Sequence, residues 1–176
     1  MSLRDISMFY VLGEDDAHRS FVRAWLEAND VSHRRVHVEP EPIGKSGGIH
    51  FVIAKCADVV RAARHRATRA QTRVIVAMDA DDFSVEERES LIARTLQTAG
   101  ESPTELTCLL VPKRHIETWA HALERSSSPP NEHDDYKPKT IQQVREAARR
   151  LARLTTAPDG PPSLVRGYEA LSRLKS

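Results

Sequence analysis

The sequence predicts an α/β fold with a mostly parallel central sheet, helices on both faces and a carboxy-terminal helical extension. Apolar runs of strand length alternate with amphipathic stretches, which is the pattern of repeated β-α units in a parallel sheet. The run Val74–Ala77 is continuously apolar, as a strand covered on both faces requires. We therefore expect this strand to be central and parallel to the first strand.

Each element is predicted from its own local pattern. Strands are predicted where short apolar runs meet turn-forming or charged residues: Ser7–Leu12, Arg34–Val38, Arg73–Met78 and Thr107–Val111. Helices are predicted where apolar residues recur at helical spacing: Asp16–Asn29, Ile49–Arg66, Ser84–Ala99 and Ile116–Leu123. Asp15 or Asp16 is a suitable cap for the first helix, and Ser84 with Glu87 forms a capping-box pattern at the third.

The chain divides into an α/β domain over residues 1–125 and a helical extension over residues 126–176. The loop Ser126–Asn131 contains Ser, Pro and Asn, which favour turns over regular structure. Beyond it, Thr140–Leu154 and Pro162–Leu174 have the spacing of amphipathic helices. Two such helices are too small to form a domain, so we expect them to pack on the α/β domain.

Composition excludes several classes of protein. Of the 176 residues 40% are hydrophobic and 29% are charged, which indicates a folded chain with one core. The net charge of +1 excludes a polycation that coats nucleic acid, and the 5% of aromatic residues disfavours a base-stacking binder of single strands. Two cysteines, Cys56 and Cys108, cannot form a disulfide framework or a four-cysteine zinc site.

The compartment is predicted from what the amino terminus lacks. Met1–Asp5 does not open a signal peptide, and no apolar run approaches the roughly 18 residues of a membrane span. We expect a cytoplasmic protein without a membrane partner.

Acidic residues follow two of the predicted core strands. Gly13–Asp16 comes after the first strand, and Asp79–Asp82 comes after the Val-rich strand. Because ligands bind at the carboxyl ends of parallel strands, Glu14, Asp79 and Asp81 are expected to converge on one point. Oxygen ligands select Mg²⁺ or Mn²⁺. Acidic residues at these positions also cap helices, but two clusters after two core strands favour a metal site.

This arrangement carries an electrostatic expectation. Three carboxylates without a nearby cation repel one another, so the pKa of each carboxyl group should be raised by its neighbours.

Three motifs occur in order along the predicted domain. The first runs from Leu12-Gly13-Glu14 to Phe21, with a seven-residue step from Glu to Phe, and the second is the Asp79-x-Asp81 pair. The third is Pro112-Lys113-Arg114-His115-Ile116-Glu117-Thr118-Trp119. Together they resemble the Toprim family, in particular small Toprim-type nucleases related to the overcoming-lysogenization-defect enzymes, which have the same step from Glu to Phe and a Pro-x-Arg-x-Ile-Glu-x-Trp motif. The resemblance spans about Ser7 to Trp119.

The resemblance implies a set of metal ligands. Glu14, Asp79 and Asp81 would bind the cation, and Glu117 would bind a second one. His18 stands where a second acidic residue is common, and it could still ligate Mn²⁺. The alternatives are that His18 is a solvated first-turn residue and that Glu117 interacts only with the helix dipole.

The function expected from the resemblance is metal-dependent hydrolysis of nucleic acid, DNA rather than RNA. Glu14, Asp79, Asp81 and Glu117 would take part in catalysis, with Lys137 or Lys139 stabilising charge on the phosphate. Expected protein partners are a second copy of the chain and an ATPase encoded nearby, as in defence systems. Two alternatives remain: a non-catalytic partner subunit of such an ATPase, and a phosphoacceptor module built on Asp79.

Overall fold

Strands and helices alternate along the chain in the computed structural model of the protein, which describes residues 3–41, 48–102, 106–124, 130–134 and 138–175. The regular elements are β1 (Met8–Gly13), α1 (Asp16–Ala28), β2 (Val36–Val38), α2 (Gly48–Ala67), β3 (Thr72–Ala77), α3 (Val85–Thr98), β4 (Thr107–Leu110), α4 (Ile116–Leu123), α5 (Ile141–Ala152) and α6 (Pro162–Arg173). The predicted α/β class is therefore confirmed.

The four strands of the described chain form one parallel sheet in the order β2-β1-β3-β4. Val11 of β1 lies opposite Ile75 of β3, and Ile75 in turn lies opposite Cys108 of β4. The prediction that the Val-rich strand is central and parallel to the first strand is confirmed. All carboxyl ends of the strands meet at one edge of this sheet.

Both faces of the sheet are covered, which explains the unbroken apolar run in β3. Ile75 packs into a core with residues of α1, α4, α5 and α6. Val74 and Val76 pack into a second core with residues of α2 and α3. Successive side chains of a strand point to opposite faces, so a strand between two helical layers needs apolar residues at every position.

Two local details refine the predicted boundaries. β2 begins at Val36 rather than Arg34, because a short 3-10 turn over His33–Arg35 precedes it and is capped by the Ser32 hydroxyl. The predicted capping box in front of α3 is confirmed: the Ser84 side chain accepts from the backbone of Glu87, whose carboxylate accepts from the backbone of Ser84.

The helices beyond residue 130 pack on the rest of the chain. α5 lies against α1 and α4, and α6 lies against β4. Trp119 of α4 is fully buried and donates from Nε1 to Ser163 Oγ of α6 at 3.0 Å. A Cβ atom at Gly167 would lie 2.3 Å from the Trp119 ring, so α6 approaches α4 as closely as glycine allows. Within the described ranges, no helix combines the length and apolar character that a membrane span needs.

Candidate metal centre and active site

Two neighbouring strands deliver acidic residues to the carboxyl edge of the sheet. β1 and β3 run side by side, so Glu14 and Asp79 emerge next to each other. The Glu14 backbone N–H donates to Ala77 O at 3.0 Å, and Glu14 Oε2 accepts from the Asp79 backbone N–H at 2.9 Å. The predicted proximity of Glu14 and Asp79 follows directly from the strand order.

A histidine completes a group of potential metal ligands at this edge. One ligand atom each from Glu14, His18 and Asp79 all lie within 4.8 Å of one another. His18 Nε2 lies 3.0 Å from Asp79 Oδ1. His18 and Asp79 are buried, while Glu14 is partly exposed, so the group opens to solvent on the glutamate side.

The start of α1 positions the histidine. Asp15 is the N-cap of α1, and its Oδ1 accepts from the His18 backbone N–H at 2.9 Å and contacts His18 Nδ1 at 2.8 Å. The second contact holds the ring so that Nε2 faces Asp79. His18 is fully buried, so the alternative of a solvated first-turn residue is wrong.

The charges around His18 compensate one another. Burial alone would lower the pKa of His18, but Asp79 and Asp15 raise it well above its ordinary value. Burial would likewise raise the pKa of Asp79, but His18 and His115 hold it below its ordinary value. Asp15 behaves similarly, since its contacts with His18 hold its pKa well below the usual range despite burial. In the metal-free protein these shifts favour an imidazolium between two carboxylates, and a metal ion at His18 Nε2 would displace the proton from that nitrogen.

The expectation that every carboxyl pKa is raised by its neighbours is wrong for Asp79 and right in direction for Glu14. Burial raises the pKa of Glu14, the Asp79 backbone N–H and His18 oppose the change, and the charges of Asp79 and Asp81 add to it. The positive charge of His18 was not predicted from the sequence. In the cluster, His18 stands where a third acidic side chain was expected.

Asp81 lies outside this cluster. Its backbone is in the left-handed region, with φ of 54°, and its Oδ2 lies 3.9 Å from Arg88 Nη2. Lys113 Nζ donates to Asp81 O and to Phe83 O, each at 2.6 Å. These contacts hold the β3–α3 loop in a turn that separates Asp81 from Asp79, although the charge of Asp81 still acts on Glu14.

α4 supplies the third wall of the site. A cavity of about 160 Å³ is lined by residues from four parts of the chain: Asp15, Asp79, His115, Glu117, Thr118 and Pro138. His115 Nδ1 lies 3.7 Å from Asp79 Oδ2. Glu117, in the first turn of α4, therefore faces the same cavity as Asp79, as the Toprim resemblance implies for a second ligand.

The two lysines expected to stabilise phosphate charge have different outcomes. Lys137 lies outside the described residues. Lys139 Nζ donates to Glu124 Oε2 at 2.5 Å, and its side chain is largely buried. The ammonium of Lys139 therefore joins the extension to the end of α4 and is not among the residues that line the cavity.

The cluster could hold a divalent metal ion. Two ligands about 2.1 Å from one octahedral ion, at right angles, lie about 3.0 Å apart. His18 Nε2 and Asp79 Oδ1 have this separation, at 3.0 Å. Metal-binding histidines usually place the other ring nitrogen against a carboxylate, as His18 does with Asp15. A set of carboxylate oxygens with one imidazole suits Mn²⁺ as well as Mg²⁺.

Three residues of the site were not predicted from the sequence. Asp15 was seen only as a helix cap, although an acidic cap three residues before a histidine places both on one turn. Thr118 and Pro138 line the cavity, and no pattern in the sequence indicates either one.

No family model, curated protein or solved structure matches this chain. The structure thus defines an α/β protein with a candidate metal site at the carboxyl edge of its sheet, and the resemblance to the Toprim family stays a prediction.

Proposed function

We propose that this protein is a divalent-metal-dependent nuclease that hydrolyses phosphodiester bonds of nucleic acid, and that it is a relative of the small Toprim-type nucleases. Support comes from the convergence of Glu14, His18 and Asp79 within 4.8 Å at the carboxyl edge of the parallel sheet. The three Toprim-like motifs also meet around one cavity, which is lined by Asp15 of the first, Asp79 of the second and Glu117 of the third.

Each side chain of the cluster has a role in this proposal. Glu14, His18 Nε2 and Asp79 would hold Mg²⁺ or Mn²⁺, with Glu117 facing the same cavity from α4 and available to a second ion. A bound divalent cation polarises a phosphate oxygen and lowers the pKa of a bound water. Asp15 keeps the His18 ring oriented, and the Lys113 bonds fix the loop that carries Asp79 and Asp81.

The phosphoacceptor alternative is disfavoured by the surroundings of Asp79. A phosphoacceptor carboxylate must be reached by a phosphodonor, but Asp79 is only 8% exposed and its Oδ1 is 3.0 Å from His18 Nε2. The non-catalytic partner subunit of an ATPase remains as the second candidate, because a buried imidazolium between carboxylates can also be a purely structural device.

A cleavage assay tests the proposal. Purified protein is incubated with plasmid, linear and single-stranded DNA and with RNA, in Mg²⁺ or Mn²⁺ and with a chelator. We expect cleavage only with metal. Asp79→Asn and Glu14→Gln should each slow it by more than the roughly 10- to 100-fold that loss of a residue supporting a metal ligand costs.

The matched control is Asp82→Asn in the same loop. Asp82 has a fully solvated carboxylate that pairs with Arg114 at 3.2 Å, so its amide variant should cut at the wild-type rate. Cleavage that survives the chelator, or that Asp79→Asn leaves unchanged, contradicts the proposed site. If no substrate is cut, alone or with an ATPase encoded nearby, the partner-subunit function takes its place.

A further inference from the structure

One buried hydroxyl beside the candidate metal centre makes no hydrogen bond to the described residues. Thr118 is 2% exposed, and its Oγ1 has no hydrogen-bond partner among the residues that the structure describes. Thr118 also lies in the wall of the cavity of about 160 Å³, next to Asp79 and Glu117. Leaving a buried hydroxyl unpaired costs free energy, so such a group calls for a partner that the chain itself does not supply.

We infer that this cavity receives a phosphate group and that the Thr118 hydroxyl donates a hydrogen bond to one of its oxygens. The inference rests on the proposed function, for which the phosphate belongs to the nucleic acid. Thr118 would then be a substrate-binding residue beside Asp79, which follows β3, and Glu117 of α4.

Size and charge favour a phosphate over other ligands. A cavity of about 160 Å³ is large enough for a tetrahedral anion with a few waters. Asp15, Asp79 and Glu117 would repel an anion on their own, so the phosphate enters together with the divalent cation. A neutral hydroxyl donor can bind the anion without competing with the carboxylates for that cation.

The position of Thr118 in α4 allows it to reach the ligand. Oγ1 is enclosed, so it meets a bound phosphate after rotation about the Cα–Cβ bond. Threonine in a helix occupies two rotamers readily, unlike valine or isoleucine, which keep one. A 120° rotation that moves the methyl into the enclosed position moves the hydroxyl to the former position of the Cβ hydrogen.

Thermal unfolding of Thr118→Val, without metal, is the first test. This variant keeps the shape and removes the unpaired hydroxyl, so it should unfold at the wild-type temperature or above it. The matched control is Thr95→Val in α3, which removes a hydroxyl that donates to Leu91 O at 2.9 Å and should unfold below the wild type. A fall in unfolding temperature for Thr118→Val equal to that of the control shows a structural hydroxyl and overturns the inference.

Calorimetric titration of inorganic phosphate into the protein with Mn²⁺ is the second test. Wild type, Thr118→Ser and Thr95→Val should bind phosphate alike, and Thr118→Val should bind it about tenfold more weakly, as expected for loss of a hydrogen bond to a charged group. No binding by the wild type, or equal binding by Thr118→Val, overturns the inference.

Cleavage rates separate the two proposals. Thr118→Val should cut about tenfold more slowly than the wild type, and Thr118→Ser should restore the rate. If wild type and Thr118→Val cut equally fast, the inference fails and the nuclease function stands. If phosphate binding depends on Thr118 but no nucleic acid is cut, the phosphate site stands and the nuclease function fails.

Discussion

The loop after β1 and the loop after β3 have similar sequences, Gly-Glu-Asp-Asp and Asp-Ala-Asp-Asp, yet their acidic side chains have different contacts. In the first loop, the Asp15 carboxylate caps α1 and contacts the His18 ring. In the second loop, cations bind the backbone: Lys113 donates to the carbonyl oxygens of Asp81 and Phe83, and Arg88 of α3 donates to that of Ala80.

The difference decides which carboxylates become buried. Asp79 is the first residue of the second loop, is 8% exposed and contacts the imidazole ring of His18. In contrast, the Asp81 side chain is 46% exposed. A short acidic motif is therefore not a single unit: each carboxylate takes the role that its backbone conformation and nearest cation allow.

The largest expected effect is on the contact between the two loops. Replacing His18 by Leu leaves the Asp79 carboxylate buried without its cation, and breaking a buried pair in this way costs about 3 kcal/mol or more. Urea unfolding of the metal-free protein should show this loss. As a control, Asp82→Asn removes the charge of a carboxylate that is 93% exposed and pairs with Arg114, and it should change stability by less than about 0.5 kcal/mol. Equal losses in both variants would mean that the His18 contact is no stronger than a surface pair.

The same contact predicts a pH dependence. The pKa of His18 is raised by folding above its ordinary value of 6.5, so the imidazolium contributes its full stability below that pH. This contribution is lost as the pH rises through the raised pKa. In chelator, the difference in unfolding temperature between wild type and His18→Leu should therefore narrow from neutral to alkaline pH. A difference that stays constant over this range is inconsistent with a charged His18.

A steric change tests the first loop without altering charge. A Cβ atom at Gly13 would lie 2.6 Å from Arg19 Cγ, and Arg19 cannot move freely because it bonds to Gly13 O and pairs with Glu41. Gly13→Ala should lower the unfolding free energy by about 2 kcal/mol. Gly160→Ala is the comparison and should cost less, since its Cβ would lie 3.2 Å from the end of the Leu164 side chain and 3.7 Å from Ala122 Cβ. A larger loss in Gly160→Ala than in Gly13→Ala contradicts this account.

The smallest expected effect is on the second loop. Lys113→Met removes the donor to two carbonyl oxygens and should destabilise the protein by about 1 kcal/mol. Hydrogen exchange should accelerate in the loop before α3 and stay unchanged in α1. Lys55→Met serves as the control, because the Lys55 side chain is 46% exposed and pairs with Glu39 at 4.0 Å. Unchanged exchange in Lys113→Met would show that Lys113 does not hold this loop.

Hydrophobic periodicity was sufficient to predict most of the fold. The run Val74–Ala77 predicted a central strand because only a strand covered on both faces is apolar at every position. Its neighbours in the sheet then placed Glu14 beside Asp79, since adjacent parallel strands end at the same edge.

Details that depend on how elements pack could not be predicted. The burial of His18 depends on how α1 is rotated over the sheet, and the separation of Asp81 from Asp79 depends on one left-handed residue. Lys139 reaches Glu124 only because the extension folds back along α4. Some of these features are contacts between residues that are distant in sequence, and one depends on a single dihedral angle. Neither kind of feature produces a periodic pattern in the sequence.

The close fit of Gly167 and Ser163 around Trp119 has a consequence for biosynthesis. During translation α4 is synthesised before α6. Until α6 has been made, nothing covers the face of the Trp119 ring that packs on Gly167, and the indole N–H has no Ser163 hydroxyl to bind. Glu117 and Thr118 sit on the same short helix. The nascent chain therefore carries an aromatic surface that stays without its final cover until α6 has been synthesised.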